Sequence, residues 1–246
     1  CMLATCHPSA PVVSGLLALW PQLQRERPGV TYGDLLAAYA LGTETMLRLG
    51  AWLGFRHYAL GFHATATLGV VGCAAAAAHA LALAPAAAHR ALAIAASSAM
   101  GLRANFGTDT KPLHVGFAAS GGLRAALLAQ AGADASDDVW GAAGFARAYG
   151  GGEFPPAPSW DAATPWALES PGFEHKRFPS CYMTHRLIAG LLVLRQRHAQ
   201  RVGEPVAIAV ELAQGGTAPL KHPVPSNGLQ AKFSGPYCAA HAWLEG

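Results

Sequence analysis

The stretch that most limits how this chain can fold is the run at 64–84, A-T-A-T-L-G-V-V-G-C-A-A-A-A-A-H-A-L-A-L-A. It is long and apolar enough to raise the question of a membrane span. Its bulk, however, is alanine and glycine, it carries His79, and it stops at Pro85. That pattern predicts a helix buried in protein rather than in lipid. Composition agrees, since 52% of the residues are apolar and only 13% charged, as in a globular protein with much buried helix. At 246 residues the chain can bury one sizeable core and begin a second domain.

Charge and cysteine usage set several classes aside. The net charge is +3 and the basic residues are scattered, which argues against a nucleic-acid partner. The five cysteines, Cys1, Cys6, Cys73, Cys181 and Cys238, form no C-x-x-C. Neither a zinc site, an iron–sulfur cluster nor a disulfide framework is indicated, so no metal is expected. A reducing cytoplasm fits this usage, with no secretory leader and no membrane partner. The chain opens at Cys1 without a Met and ends at Gly246 without a closing element, so it reads as a fragment.

Helical periodicity runs through the first two-thirds. After Pro8 and Ser9, residues Val12, Val13, Leu16, Leu17 and Trp20 share one helical face. Leu35, Leu36, Tyr39, Met46, Leu47, Leu49 and Leu53 mark a long amphipathic helix over 31–53, ending near Gly50 or Gly54. Further helices are expected at 86–100, 115–131 and, more briefly, 134–149, with Ser120-Gly121-Gly122 permitting close helix packing. The Gly- and Pro-rich stretch 150–173 marks a boundary.

Beyond it the pattern changes. E-H-K-R-F-P-S-C (174–181) reads as a strand entering a turn, 184–201 as an amphipathic helix, and the alternation of Val206, Ile208, Val210 and Leu212 as a strand. A turn at 223–228 precedes Ser234-Gly235-Pro236, which resembles a capped helix start leading into 237–244. The expected fold is mainly α, with a large all-helical domain over 1–171 and a smaller α+β domain over 172–246.

The polar stretch 101–116 carries Arg103, Asn105, Thr108, Asp109, Thr110, Lys111 and His114, with Gly107 and Pro112 as breakers. Gly107 permits a left-handed turn, and Pro112 disfavours helix at Lys111. A polar loop between two buried helices is a place for chemistry, and its cations and amide donors suit a substrate with several carboxylates. It also reads as a capped helix connection whose polar groups satisfy backbone ends. His7, just before the first helix, reads as a loop residue, a cap or a site residue. His63 sits at the N-terminal mouth of the alanine-rich helix, where a functional role competes with a structural one. His79 and His89 read as structural or surface histidines. Lys176 and Tyr237 occupy places similar to His63 in the second part. G-x-S-x-G is absent, so no nucleophile elbow is implied. Spacing alone does not bring these residues together.

Five stretches carry a resemblance: H-P-S-A-P-V-V (7–13), G-F-H-A-T-A-T-L-G (61–69), G-L-R-A-N-F-G-T-D-T-K-P-L-H-V-G (101–116), K-R-F-P-S-C-Y-M-T-H (176–185) and A-K-F-S-G-P-Y-C-A-A (231–240). In that order they resemble the successive signatures of the MmgE/PrpD superfamily, which includes 2-methylcitrate dehydratase and cis-aconitate decarboxylase. The resemblance implies a large helical domain with a smaller α+β lid, a homodimer, and a cofactor-free site between the two domains. It carries over His7, His63 and Lys111 from the helical domain, and Lys176 and Tyr237 from the lid, as catalytic candidates. Arg103, Asn105, Thr110, Cys181 and Ser234 are the accompanying substrate-binding candidates.

Dehydrating a citrate-like acid requires removing a weakly acidic proton beside a carboxylate and protonating a departing hydroxyl. Cations and hydrogen-bond donors must meet the developing charge. Acid–base work falls to histidine, or to a lysine whose pKa is lowered by burial near other cations. His63 and Lys111 are therefore given the proton transfers, Lys176 and Arg103 the carboxylates, and His7 and Tyr237 the role of donors or proton partners.

The chain also departs from the family pattern. The family's N-terminal helical segment, with its aspartate-bearing stretch before the His-Pro motif, is absent, as are the rest of the lid and the helices that return to the first domain. Cys181 stands where the decarboxylase branch tends to carry a histidine five residues after the lid lysine. H-P-S-A-P differs from the H-P-S-D-N of dedicated 2-methylcitrate dehydratases. The expected function is dehydration of a 2-methylcitrate- or citrate-like polycarboxylate. Decarboxylation of cis-aconitate and epimerisation at an acidic carbon are the alternatives, and a non-catalytic dimerising helical scaffold is the alternative of another class.

Overall fold

A computed structural model of the chain describes residues 4–141, 143–152, 161, 164–198, 207–212 and 215–246. The alanine-rich run forms α3 (Ala64–Ala80), which is buried at every position except His79. Around it pack α1 (Ser9–Glu26), α2 (Tyr32–Ala59) and α4 (Pro85–Ser97). A helix so poor in bulk can be central because its backbone is approached closely. A Cβ on Gly72 would fall 2.3 Å from Met46 Cγ, and one on Gly42 would fall 2.5 Å from the Gly72 carbonyl oxygen. Dense backbone contact supplies the dispersion that larger side chains would otherwise provide.

The elements follow their sequence signals with instructive shifts. α1 buries Val12, Leu16, Leu19 and Leu23, while Val13 and Leu17 are 40% and 63% exposed. The buried stripe is therefore rotated from the expected one. Gly15 sets that rotation, since a Cβ there would strike Cys73 Sγ on α3. α2 begins with a capping box, in which Thr31 Oγ1 accepts from the Asp34 N–H and the Asp34 carboxylate accepts from the Thr31 N–H. Those hydrogen bonds hold the Asp34 pKa below its ordinary value. The helix continues through a kink at Gly54, where φ is +64°. Buried Glu44 on α2 accepts from Arg48 Nε at 2.5 Å and from the backbone N–H groups of Ala167 and Leu168 at 2.9 and 3.0 Å, so it anchors a distant turn.

α5 (Thr110–Gln130) starts earlier than expected. Lys111 is helical rather than looped, because Pro112 falls in the first turn, where backbone N–H groups lack intrahelical acceptors anyway. Gly122 permits the close packing expected of it, since its Cβ would lie 2.6 Å from the Val70 carbonyl oxygen. Among the described residues of the stretch 134–149, α6 (Phe145–Tyr149) is the helical part.

The chain divides into two units, Cys1–Ala104 with Pro112–Glu174, and Asn105–Lys111 with His175–Gly246. In the second, α7 (Tyr182–His198) packs on α9 (Gly235–Leu244) through Leu187, Leu191, Cys238, Ala239 and Ala242. A short α8 (Gly228–Ala231) follows the expected turn and is capped by Asn227. The expected end of α7 at 199–201, and much of the Gly/Pro boundary stretch (153–160 and 162–163), lie outside the described residues.

Neither expected strand forms among the described residues. Residues 174–180 run through irregular backbone and bends. Ile208, Val210 and Leu212 are irregular and exposed, and Val206 lies outside the described residues. Alternation prepares a strand, but only a neighbouring ladder makes one. The described residues contain a single isolated bridge, between Phe62 and Leu102. The fold is mainly α, as expected. No helix among the described residues is long and apolar enough to cross a membrane.

Candidate active site

That bridge joins two of the sequence motifs within the first unit. The His63 N–H donates to the Gly101 carbonyl at 2.9 Å and the Arg103 N–H to the Gly61 carbonyl at 2.8 Å. Residues 61–63 and 101–103 thus run antiparallel at the N-terminal mouth of α3. His63 is the N-cap residue of α3 and only 2% exposed. Its Nδ1 lies 3.1 Å from Nδ1 of His114, which is buried on α5. Two N–H groups cannot point at each other, so one Nδ1 carries the hydrogen and the other accepts it.

His7 is fastened to the same mouth. Its backbone N–H and ring Nδ1 lie 3.1 and 3.0 Å from Thr65 Oγ1, in the first turn of α3. Behind them, His57 donates from Nδ1 to the Tyr149 carbonyl at 3.0 Å, leaving Nε2 to accept from the Thr67 hydroxyl at 2.6 Å. Burial pushes the His57 pKa below its ordinary value, which keeps this ring neutral as a brace. Two histidines, His7 and His63, therefore sit where the α3 dipole is positive. Arg103 is spent differently, its guanidinium stacked 4.1 Å over the Tyr58 ring.

The second unit gathers cations. Lys111 Nζ lies 5.2 and 5.6 Å from the ring centroids of Phe106 and Phe233. Burial, then the charges of Lys176 and Lys232, push its pKa below the ordinary 10.5, with Cys181 pulling the other way. Lys176 donates to the Ser180 carbonyl at 2.7 Å, and its pKa is lowered by burial and by Lys232. The Cys181 N–H donates to the Lys232 carbonyl at 2.9 Å, which ties that lysine's backbone to the start of α7. Burial raises the Cys181 thiol pKa against the pull of the Met183 backbone N–H, Lys176 and Lys111. Among the described residues, Lys111, Lys176 and Lys232 make no ion pair with a carboxylate. Three lysines with no carboxylate ion pair among the described residues suit a ligand carrying several carboxylates.

The remaining candidates divide between structure and exposure. Ser234 is fully buried, accepts from the Tyr237 N–H at 3.2 Å and donates to the Pro223 carbonyl, so its hydroxyl caps α9. Tyr237 is 45% exposed and stacks on His241. The Asn105 carbonyl accepts from Thr108, and Thr110 opens α5. Lys232 and His185 were missed as candidates, although each lies inside a quoted motif, and His114 was named in the polar stretch 101–116 but given no role. His114 follows Lys111 by three residues, the spacing of one helical turn, and that was the available signal. His185 is buried between Phe178 and Tyr182, and burial and Lys176 lower its pKa. No group of three or more His, Cys, Asp or Glu residues suited to a metal ion gathers among the described residues.

Comparison with known proteins adds to this geometry. The MmgE/PrpD N-terminal domain matches residues 2–157 and the MmgE/PrpD C-terminal domain residues 178–246. The chain is 34% identical over 248 residues to human cis-aconitate decarboxylase, covering 98% of this chain and 50% of that protein. It is 35% identical over 187 residues to the cis-aconitate decarboxylase of Mus musculus, covering 73% and 37%. With the cis-aconitate decarboxylase of Aspergillus terreus it shares 32% identity over 150 residues, covering 60% and 30%. The chain spans about half the length of the human protein and less of the other two. The two domain matches account for most of the sequence, and the chain belongs to the MmgE/PrpD family.

Proposed function

We propose that the protein is an acid–base lyase acting on a small tricarboxylate, with release of carbon dioxide from cis-aconitate as its reaction. The observation that carries this reading is that Lys111, Lys176 and Lys232 all belong to the second unit and make no ion pair with a carboxylate among the described residues. In cis-aconitate, breaking the bond to the methylene carboxylate sends its electron pair into a new terminal double bond. The old double-bond pair moves toward the carbon beside a second carboxylate, and that carbon takes up a proton. Such a reaction needs cations to hold the retained carboxylates and one well-placed acid.

In this proposal Lys176 and Lys111 meet the carboxylates, and His63 or Lys111 delivers the proton. Asn105, Thr110, Cys181 and Tyr237 are the surrounding contacts in this proposal, with His7 as a further donor, while Arg103, stacked on Tyr58, is left out of the carboxylate contacts. His114 supports His63 and follows Lys111 by three residues on α5. The names of the three relatives support this choice of reaction, as does the H-P-S-A-P form of the first motif. A homodimer belongs to the same proposal, and sedimentation of the intact protein tests it.

A second reading, elimination of water from 2-methylcitrate or citrate, is favoured by Cys181, which stands where the decarboxylase branch of the resemblance carries a histidine. One experiment separates the two. The intact protein is given cis-aconitate, citrate and 2-methylcitrate in turn, and carbon dioxide and ultraviolet absorbance are followed. Gas from cis-aconitate supports decarboxylation, and rising absorbance from the hydroxy acids supports dehydration. Neither signal, together with no solvent deuterium entering any of the acids, leaves a non-catalytic scaffold.

A further inference from the structure

The second unit contains a contact that the lyase reading does not use. His222 Nε2 lies 3.0 Å from the Phe106 carbonyl oxygen. A carbonyl only accepts, so Nε2 carries the hydrogen and donates. The same ring closes over Gly107, where a Cβ would fall 2.3 Å from His222 Nε2 and 2.8 Å from Cδ2. Gly107 also has φ +89°, which favours glycine there, and a Cβ would push the His222 ring from its place. The His222 backbone N–H in turn donates to the Phe233 carbonyl at 3.4 Å. The Phe233 ring faces that of Phe106 with centroids 5.5 Å apart, and Lys111 Nζ lies over both. Phe106 is thus held by its carbonyl and its ring at once, five residues before the lysine.

We propose that His222 is a positioning residue for Lys111, fixing the Asn105–Lys111 segment on the second unit through the Phe106 carbonyl and Gly107, so that the ammonium stays between the two phenyl rings and faces a carboxylate ligand. The proposal rests on Lys111 being the working cation, whereas the clamp itself does not. The donor hydrogen and the ring volume do the holding, so a neutral imidazole suffices.

The test uses the intact protein with three variants, H222A, H222Q and G107A. The readout is the Lys111 titration, followed by NMR of isotopically methylated lysines and assigned by its loss in K111R. In the unaltered protein Lys111 loses its proton below 10.5. In H222A and G107A the titration moves up toward that value, and kcat/KM for the polycarboxylate falls about tenfold or more. H222Q, whose amide can still donate to the Phe106 carbonyl, restores most of both. The G107A/H222A double variant is no worse than the poorer single one, because both break one contact.

An unmoved Lys111 titration in folded H222A overturns the clamp, as does an H222Q protein as impaired as H222A. Should H222A not fold, G107A decides alone by the same criterion. If no polycarboxylate is turned over, the titrations still decide the clamp, so its failure and that of the functional reading are told apart.

Discussion

His63 Nδ1 and His114 Nδ1 lie 3.1 Å apart, both rings buried, and a single hydrogen serves the contact. The two imidazoles therefore act as a unit. Whichever ring donates fixes the other's tautomer, and with it the edge from which His63 offers or takes a proton.

Replacing His114 should lower turnover more than it lowers affinity. His114→Ala is expected to reduce kcat by about tenfold to a hundredfold, with KM changed far less. His114→Asn, which can still pair with an imidazole nitrogen, should keep part of the rate. Steady-state kinetics of the intact protein on cis-aconitate check this.

The lysine trio makes a prediction about pH. Lys111 and Lys176 lose their protons in the folded protein below the 10.5 of a free lysine. Between the lowered values and 10.5 the unfolded chain binds more protons, so these groups make stability rise with pH through that window. A bound polycarboxylate acts oppositely, because it favours the ammonium forms and takes up protons. Tricarballylate affinity, measured by calorimetry, should therefore fall with rising pH from an onset below 10.5. Lys232→Gln removes one repelling charge and should move that onset upward.

Ser234 is expected to matter for stability rather than for substrate. Its hydroxyl caps α9, and Ser234→Ala should cost about 1 kcal/mol of unfolding free energy. KM for the polycarboxylate should stay unchanged. Urea unfolding and kinetics on the same preparation check both halves.

Much of this was legible in the residues themselves. The alanine run declared α3, Thr31 and Asp34 declared the start of α2, and Ser234-Gly235-Pro236 declared α9. What the chain could not declare was rotation and partnership. Val13 and Leu17 are as apolar as Val12 and Leu16, and it is packing that decides which pair is buried, through Gly15 against Cys73, Pro11 against Gly69 and Val12 against Gly42. Ile208, Val210 and Leu212 alternate as a strand would, yet alternation carries no information about a ladder partner. Pro112 marked a boundary correctly but on the wrong side, because a helix tolerates proline in its first turn. The pairing of His63 with His114 was not readable, since the two lie 51 residues apart and meet only through the packing of α3 against α5.

Glu44 supplies a control remote from the chemistry. It is 4% exposed, bound by Arg48 and by the backbone of Ala167 and Leu168. Glu44→Ala leaves Arg48 Nε and two backbone N–H groups without their carboxylate acceptor, while Arg48 keeps its bonds to the Thr164 and Pro165 carbonyls, and should destabilise the protein by about 3 kcal/mol. Denaturant unfolding checks this, and Lys111 titration should be unaffected.

Lys111 is the residue on which the lyase account turns. The most direct measurement is carbon dioxide release from cis-aconitate by the intact protein and by its Lys111→Ala variant, with absorbance from citrate and 2-methylcitrate followed in parallel. The account predicts turnover of at least one of these acids and its loss by about a hundredfold or more in the variant. No turnover of any of them, or an equal rate in the variant, would contradict it.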